Sequence, residues 1–171
     1  MNRVFYIVGS ESTGKSTLTR QLADHYGVPG VPEFARDYLE KLDRPYDFND
    51  LELIARGQLE LIRLHERLPL VFFDTNLINI QVWFQEVFSR IPHWFTVEIQ
   101  QHRQGVYLLC QPDIPWEPDP LRENPDRRNY LNDLYEQELI VSGFPYFRVS
   151  GSGDSRFRCA REIVDSVIGQ D

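Results

Sequence analysis

The chain has 171 residues, 42% of them hydrophobic and 26% charged, which suits one well-packed domain over residues 1–171 rather than two. A net charge of −8 with no cluster of Lys and Arg argues against a nucleic-acid partner. Two distant cysteines exclude a disulfide framework, and no apolar stretch is long enough to span a membrane. The first strand runs directly into a glycine-rich loop, leaving no room for a cleaved leader, so we expect a cytoplasmic protein.

The predicted elements alternate between strands and helices. Short apolar runs predict strands at 4–8, 28–31, 70–74, 106–110 and 146–149, and helical periodicity follows each of them. Asn49 with Glu52 is expected to cap the helix that continues toward Leu68, with Phe48 and Leu53 as a hydrophobic staple. Further helices are expected between 75 and 105, over 127–141 and from about 154. The pattern predicts an α/β fold: a five-stranded parallel sheet with helices on both faces.

A nucleotide-binding loop joins the first strand to the first helix. The segment 9–16 matches G-x-x-x-x-G-K-[ST], and both its glycines and its strand-to-helix context fit a phosphate-binding loop. Backbone N–H groups at the helix N-terminus attract phosphates, Lys15 adds a charge for the β- and γ-phosphates, and the Ser16 hydroxyl suits a phosphate-bound Mg²⁺. The predicted ATP-binding residues are Gly9, Ser10, Glu11, Ser12, Thr13, Gly14, Lys15, Ser16 and Thr17.

Two carboxylates are expected beside the phosphates. Asp74 ends the third strand and is predicted to hold Mg²⁺ together with Ser16, although capping of the next helix would suit the same position. Glu33 follows the second strand and is predicted to accept a proton from the attacking hydroxyl. Arg36, one helical turn later, is expected either to contact substrate or phosphate or to form a surface pair with Glu33.

A proline-rich stretch precedes the helix at 127–141. Residues 112–125 contain five prolines among charged groups, a composition that breaks helices and is typical of a mobile loop. We call residues 112–128 the lid segment. Trp116 lies in this charged stretch rather than in a periodic helix, which makes it the favoured aromatic for stacking on a ligand. Trp83, Phe84, Phe88, Trp94 and Phe95 are the other candidates, most of them expected in the core.

These motifs together resemble a known family. The loop at 9–17, the segment Glu33-Phe34-Ala35-Arg36, the Phe73-Asp74-Thr75 triplet and the stretch from Trp116 to Arg122 resemble the ribosylnicotinamide kinase domain of the NadR family. The resemblance implies a P-loop kinase that transfers the γ-phosphate of ATP, with Mg²⁺, to the 5′-hydroxyl of nicotinamide riboside. Complete NadR proteins carry an adenylyltransferase domain before the kinase, which is not expected here.

The resemblance also implies roles for particular residues. Arg122 and Arg128 would neutralise the transferring phosphate, with Arg127 as the alternative to Arg128 because the lid spacing does not match cleanly. Asp119 and Trp116 would contact the acceptor. Gly151 would bring backbone groups to the adenine, although a plain turn with a helix cap fits the same segment.

Two further functions remain open from the sequence. One is a P-loop kinase for another nucleoside, a vitamin alcohol or a nucleoside monophosphate; the other is a partner-regulated ATPase switch. The sequence leaves the oligomeric state and the choice between ATP and GTP undecided.

Overall fold

The computed structural model describes residues 3–101 and 105–169, which form a parallel sheet between two layers of helices. The strands are β1 (Arg3–Val8), β2 (Gly30–Val31), β3 (Leu70–Asp74), β4 (Val106–Cys110) and β5 (Tyr146–Val149). The helices are α1 (Lys15–Tyr26), α2 (Phe34–Leu39), α3 (Phe48–His65), α4 (Leu77–Phe88), α5 (His93–Gln101), α6 (Arg128–Ser142) and α7 (Gly153–Ile168). A 3₁₀ turn, Pro125–Arg127, leads into α6.

All five strands are parallel and lie in the order β2-β3-β1-β4-β5. The order reverses on either side of β1, so the carboxyl ends of β1, β3 and β4 open onto one crevice, where ligands bind in sheets of this kind. The bounds predicted for β3, β4 and β5 are confirmed, as is the five-stranded parallel sheet.

Alternate residues of each central strand pack into two cores. Val4, Tyr6 and Val8 of β1 face the layer formed by α3 to α6, whereas Phe5 and Ile7 face α1 and α7. Because both faces are covered, these strands are apolar throughout, which is why they were evident in the sequence. None of the helices in the described ranges has the length and apolarity needed to cross a membrane.

The N-terminus of α3 differs from the prediction. Asp47, not Asn49, caps the helix, accepting hydrogen bonds from the backbone N–H groups of Asn49 and Asp50 at 2.8 and 3.1 Å. The Asp50 carboxylate accepts one in return from the Asp47 N–H at 2.8 Å and also binds Arg44. This tertiary pair selects the earlier of two possible capping registers. The predicted staple is absent as well, since Leu53 is 52% exposed.

The ends of α3 and β2 also differ from the prediction by a few residues. α3 ends at His65, three residues before Leu68, and β2 has two residues rather than four. The short helix α2 was not predicted. It begins after Glu33, where the Phe34 N–H donates to the side chain of Gln58 on α3 at 3.0 Å, so its start depends on a contact distant in sequence.

Candidate active site

The loop between β1 and α1 has the backbone geometry of a phosphate-binding loop. Gly9 and Gly14 have φ of 138° and 77°, values that favour glycine. A Cβ on Gly9 would lie 2.7 Å from the Cys110 carbonyl oxygen, so glycine is also needed there for packing. Helix α1 has no side-chain cap at its N-terminus. Its first N–H groups are therefore available to an anion, and the helix dipole favours negative charge there.

Side chains within the loop fix its shape. The Thr13 hydroxyl donates to the Ser10 carbonyl at 2.8 Å, and Lys15 Nζ donates to the same oxygen at 2.9 Å. Lys15 thus folds back over the loop it follows in sequence. Ser16 and Thr17 are exposed on the first turn of α1, at the wall of a cavity. This arrangement leaves one ammonium and one hydroxyl directed at the region where phosphates would lie.

The cavity has a volume of about 610 Å³ and lies at the carboxyl ends of the central strands. It is bounded by the phosphate loop, α2, the segment before α3, α4 and the lid segment. Most of the residues predicted from sequence line it: Gly9, Glu11, Ser12, Thr13, Gly14, Lys15, Ser16, Thr17, Glu33, Arg36 and Arg122. The residues predicted from sequence that the lining does not include are Ser10, Asp74, Trp116, Asp119, Arg128 and Gly151.

Glu33 lies at the N-terminus of α2 and lines the cavity. Burial and the neighbouring Asp74 carboxylate raise the pKa of Glu33 from 4.5 to about 6, although Lys15 and Arg36 oppose the shift. A carboxylate with this pKa is ionised at neutral pH yet more basic than usual. Glu33 therefore has the position and the basicity for accepting a proton from a hydroxyl in the cavity.

Asp74 is 4% exposed and lies at the carboxyl end of β3, paired in register with Ile7 of β1. Burial raises its pKa, while the Lys15 charge and the Ser16 hydroxyl act in the opposite direction. Its Oδ1 atom is buried without a hydrogen-bond partner. The alternative role as helix cap is wrong, because Asn76 caps α4 by accepting from the Ile78 N–H at 3.2 Å.

Asp74 and Ser16 together suit a Mg²⁺ ion. A buried carboxylate oxygen without a partner leaves an oxygen ligand available, and Mg²⁺ prefers one or two protein oxygens together with substrate phosphates. In the described part of the chain, no group of three His, Cys, Asp or Glu side chains could form a metal site by itself. The residues therefore fit a metal that arrives with the nucleotide.

The residue after Asp74 is held in an unusual conformation. Thr75 has φ of 75°, which costs energy for a β-branched residue, and its N–H donates to the Ile7 carbonyl at 2.9 Å. Such strain concentrates at functional sites. Here it turns the chain sharply between β3 and α4, immediately beneath the phosphate loop.

Arg36 pairs with Asp119 rather than with Glu33. Its Nη2 donates to Asp119 Oδ2 at 3.1 Å, linking α2 to the lid segment, and a longer contact of 3.5 Å joins it to Glu40. The predicted surface pair with Glu33 is thus replaced by a contact across the cavity mouth. Asp119 also accepts a hydrogen bond from the Leu121 N–H at 2.9 Å. Arg36 and Asp119, which were both predicted to bind substrate, therefore pair with each other.

The arginines of the lid segment take different positions. Arg122 lines the cavity and donates to Ser12 Oγ at 3.4 Å. Arg128 donates to the backbone carbonyls of Ser12 and Ile114, at 2.9 and 3.0 Å, and lies outside the lining. Arg127 does line the cavity, where it pairs with Glu86. Arg122 and Arg127 are therefore the lid arginines placed at the cavity, whereas Arg128 holds the lid against the loop.

The surroundings of two other predicted site residues, Trp116 and Gly151, are as follows. The Trp116 ring lies 6.0 Å from the Arg128 guanidinium carbon and does not line the cavity. The Gly151 N–H donates to Asp113 at 2.7 Å, so that backbone group is already occupied. The plain-turn alternative fits better, because the Ser152 N–H donates to Ser155 Oγ at 3.0 Å at the start of α7.

Trp83 and Tyr46 form the aromatic wall of the cavity. Trp83 Nε1 donates to the Tyr46 hydroxyl at 3.1 Å, and the two rings meet edge to face with centroids 5.2 Å apart. Both line the cavity. The other aromatic candidates Phe84 and Phe95 are fully buried in the core, and Trp94 packs against Arg56. Tyr46 was missed because it lies in an irregular segment without periodicity.

Three polar residues that hold the phosphate loop were also missed. Asn79 Nδ2 donates to the Gly9 carbonyl at 3.1 Å, and Asn132 Oδ1 accepts from the Ser10 N–H at 3.4 Å. Arg156, 5% exposed, donates to the Thr13 carbonyl at 2.7 Å. The two asparagines interrupt the apolar faces of α4 and α6, a pattern that could have identified them. Arg156 has no such pattern in the sequence.

Comparison with known proteins identifies relatives over nearly the whole chain. A family model described as an AAA domain (AAA_28) matches residues 4–156. The trifunctional NAD biosynthesis/regulator protein NadR of Escherichia coli strain K12 is 28% identical over 98% of this chain and 43% of its own length. NadR of Salmonella typhimurium strain LT2 is 27% identical over the same shares. The chain therefore spans less than half the length of these curated relatives.

Solved structures share the fold. A crystal structure of NadR protein in complex with NR superposes with a TM-score of 0.81 and 22% identity, covering 99% of this chain and 52% of that chain. Deoxyadenosine kinase from M. mycoides follows with a TM-score of 0.65 and 13% identity, covering 95% and 99%. The predicted P-loop kinase fold and the resemblance to NadR are confirmed. The chain thus has the fold and the phosphate loop of an ATP-dependent phosphotransferase.

Proposed function

Since the chain belongs to the AAA-domain family that matches residues 4–156, we propose that it is a kinase that phosphorylates the 5′-hydroxyl of nicotinamide riboside with ATP. The observation that carries the proposal is the position of Glu33. It lies in the same cavity as Lys15 of the phosphate loop and Trp83 of the aromatic wall. A phosphate site, a base and a surface for an aromatic acceptor are thus combined in one cavity.

The donor side follows from the phosphate loop. The uncapped N-terminus of α1 and the Lys15 ammonium would bind the β- and γ-phosphates of ATP. Asp74 and Ser16 would hold Mg²⁺, which would neutralise part of the phosphate charge. Arg122 adds positive charge from the lid segment, whereas the charge of Arg127 is paired with Glu86. Positioning and charge neutralisation are the main requirements of phosphoryl transfer.

The acceptor side follows from Glu33 and the aromatic wall. With a pKa of about 6, Glu33 is ionised at neutral pH and would accept the proton of the ribose hydroxyl as it attacks the γ-phosphate. Trp83 and Tyr46, which pack edge to face on each other at the cavity wall, would provide aromatic surface for cation–π contact with a pyridinium ring. Glu86 also lines this wall, where it pairs with Arg127 and accepts a hydrogen bond from the Tyr130 hydroxyl. An aromatic cation fits this wall better than a neutral sugar does.

The relatives of the chain support the same acceptor. NadR is a trifunctional NAD biosynthesis protein in two bacteria, and one solved NadR structure is a complex with NR. Another contains NAD and AMP-PNP and superposes with a TM-score of 0.75 at 21% identity. These relatives are longer than this chain, so the acceptor remains a proposal for the chain itself.

A substrate panel tests the proposal. The protein is incubated with ATP and Mg²⁺ and either nicotinamide riboside, thiamine, common nucleosides or nucleoside monophosphates, and the products are identified by mass. We expect transfer to nicotinamide riboside with the highest kcat/KM, and loss of transfer in Lys15→Ala. Turnover on a monophosphate or another nucleoside alone would leave the kinase fold intact but refute the acceptor. ATP hydrolysis without any phosphorylated product would instead favour an ATPase switch.

A further inference from the structure

Glu11 and Ser12, two residues that the phosphate-loop motif leaves unspecified, form hydrogen bonds with the lid segment. Glu11 Oε2 accepts hydrogen bonds from the backbone N–H groups of Glu123 and Asn124, at 3.1 and 2.9 Å. Glu11 Oε1 is 3.3 Å from Asn124 Nδ2, which donates to it. Three donors from two adjacent residues of the lid segment therefore converge on one carboxylate.

This arrangement is inconsistent with a role for the Glu11 side chain in holding phosphate. A carboxylate repels the phosphates of ATP, and its energy in the cavity is lowest when its oxygens are already paired with donors. The donors lie immediately before the 3₁₀ turn Pro125–Arg127, with Asn124 as its N-cap and Glu123 the residue before it, where N–H groups lack helical partners. Glu11 thus supplies the missing acceptor for the beginning of that helical stretch.

The neighbouring residue holds the other end of the same stretch. Ser12 Oγ accepts a hydrogen bond from the Glu117 N–H at 2.9 Å, and its backbone is in the left-handed region with φ of 54°. Residues 117–124 are therefore attached at both ends to two consecutive residues of the phosphate loop. The position of residues 117–124 is therefore linked to that of the phosphate loop.

Glu123 extends the connection to the opposite wall. Its backbone N–H is held by Glu11, while its carboxylate accepts a hydrogen bond from the Tyr46 hydroxyl at 3.4 Å. Tyr46 in turn accepts from Trp83 Nε1 at 3.1 Å. A continuous series of hydrogen bonds thus runs from the phosphate loop through the lid segment to the aromatic wall.

We infer that Glu11 is a positioning residue: it ties residues 123–124 to the phosphate loop, so that Arg122, Arg127 and the aromatic wall are held around one cavity. The physical effect on the lid segment is independent of the acceptor, whereas the catalytic consequence rests on the kinase function proposed above. For a kinase, a closed lid keeps water from the γ-phosphate.

Hydrogen exchange of the full chain tests the attachment without any acceptor. In Glu11→Ala, we expect the amides of Glu123 and Asn124 to exchange about tenfold or more faster, with or without AMP-PNP and Mg²⁺. Glu11→Gln keeps one acceptor oxygen and should give an intermediate rate. Ser12→Ala is the matched control: it should accelerate exchange at Glu117 while leaving residues 123–124 much less affected.

Further measurements distinguish a positioning role of Glu11 from general destabilisation of the protein. Amides of β3 should keep their protection in Glu11→Ala, and Glu60→Ala, which removes an exposed carboxylate on α3, should leave the lid segment unchanged. The ratio of ATP hydrolysis to phosphoryl transfer to the acceptor should rise several-fold in Glu11→Ala and be smaller again in Glu11→Gln. Unchanged exchange at residues 123–124, or equal acceleration throughout the chain, would overturn the inference. Failure to phosphorylate nicotinamide riboside would refute the proposed acceptor but not the exchange result.

Discussion

Arg36 and Asp119 form an ion pair of 3.1 Å across the mouth of the cavity, joining α2 to the lid segment. The Arg36 side chain is 42% exposed and the Asp119 side chain 20%, so the pair stabilises the protein only slightly by itself. Its effect is on position: it holds the lid segment against α2, the helix that begins immediately after Glu33. Burial disfavours the Arg36 charge, but Asp119 more than compensates and leaves its pKa raised.

This pair predicts non-additive kinetics. Arg36→Ala and Asp119→Ala should each lower kcat/KM for the acceptor by about tenfold, and the double substitution should lower it hardly further, because both remove one link. Steady-state kinetics on the four proteins measures the coupling. If Arg36 instead contacts the acceptor or phosphate directly, its substitution will be much more damaging than that of Asp119, and the effects will approach additivity.

The pH dependence of transfer should report the Glu33 carboxyl. Its pKa of about 6 means that kcat/KM should fall with unit slope below about pH 6, where the base becomes protonated, and be level above it. Glu33→Gln should lower kcat by about 10²-fold or more and abolish this acid limb. A profile that keeps the limb near pH 6 in Glu33→Gln would assign the titration to another group.

Glu33→Gln should also stabilise the folded protein at higher pH. The Glu33 carboxyl has a pKa of about 6 when folded and about 4.5 when unfolded, so its charge opposes folding as the pH rises from 4.5 through 6. Glu33→Gln removes that cost and should raise the free energy of unfolding at pH 8 by up to about 2 kcal/mol, with little change at pH 4.5. Urea unfolding of both proteins at the two pH values gives the difference. A constant difference would show that the charge is not the cause.

The sequence predicted the elements that depend on local pattern. β3, β4 and β5 are buried on both faces and stand out as apolar runs, and the phosphate loop stands out by its glycines and Lys15. The features it missed depend on specific side-chain contacts. The cap at Asp47 is favoured by the pair of Arg44 with Asp50, six residues later, and the position of Trp83 in the cavity rather than Trp116 depends on how α4 packs. Periodicity carries no information about either.

Asp74 should determine the response to Mg²⁺. Asp74→Asn keeps the size and removes the charge of the buried side chain, so the Mg²⁺ concentration giving half-maximal rate should rise by about tenfold or more. The substitution should leave binding of ATP without metal much less affected, because Lys15 and the N-terminus of α1 remain. Titrations of the rate with Mg²⁺ at saturating ATP make the comparison. An unchanged Mg²⁺ requirement would remove Asp74 from the metal site.

Gly57 on α3 controls the position of α2 and hence of Glu33. A Cβ on Gly57 would lie 2.3 Å from the Phe34 ring, which is too close unless the ring moves. Alanine is the better helix former by about 1 kcal/mol, so a rise in stability would be expected if space allowed it. We instead expect Gly57→Ala to displace Phe34 and the adjoining Glu33, lowering kcat about tenfold or more with little change in KM for ATP. Phe34→Ala in the Gly57→Ala background should remove the clash. Recovery of kcat in that double variant would show that the ring transmitted the effect, whereas equal impairment of both proteins would contradict it.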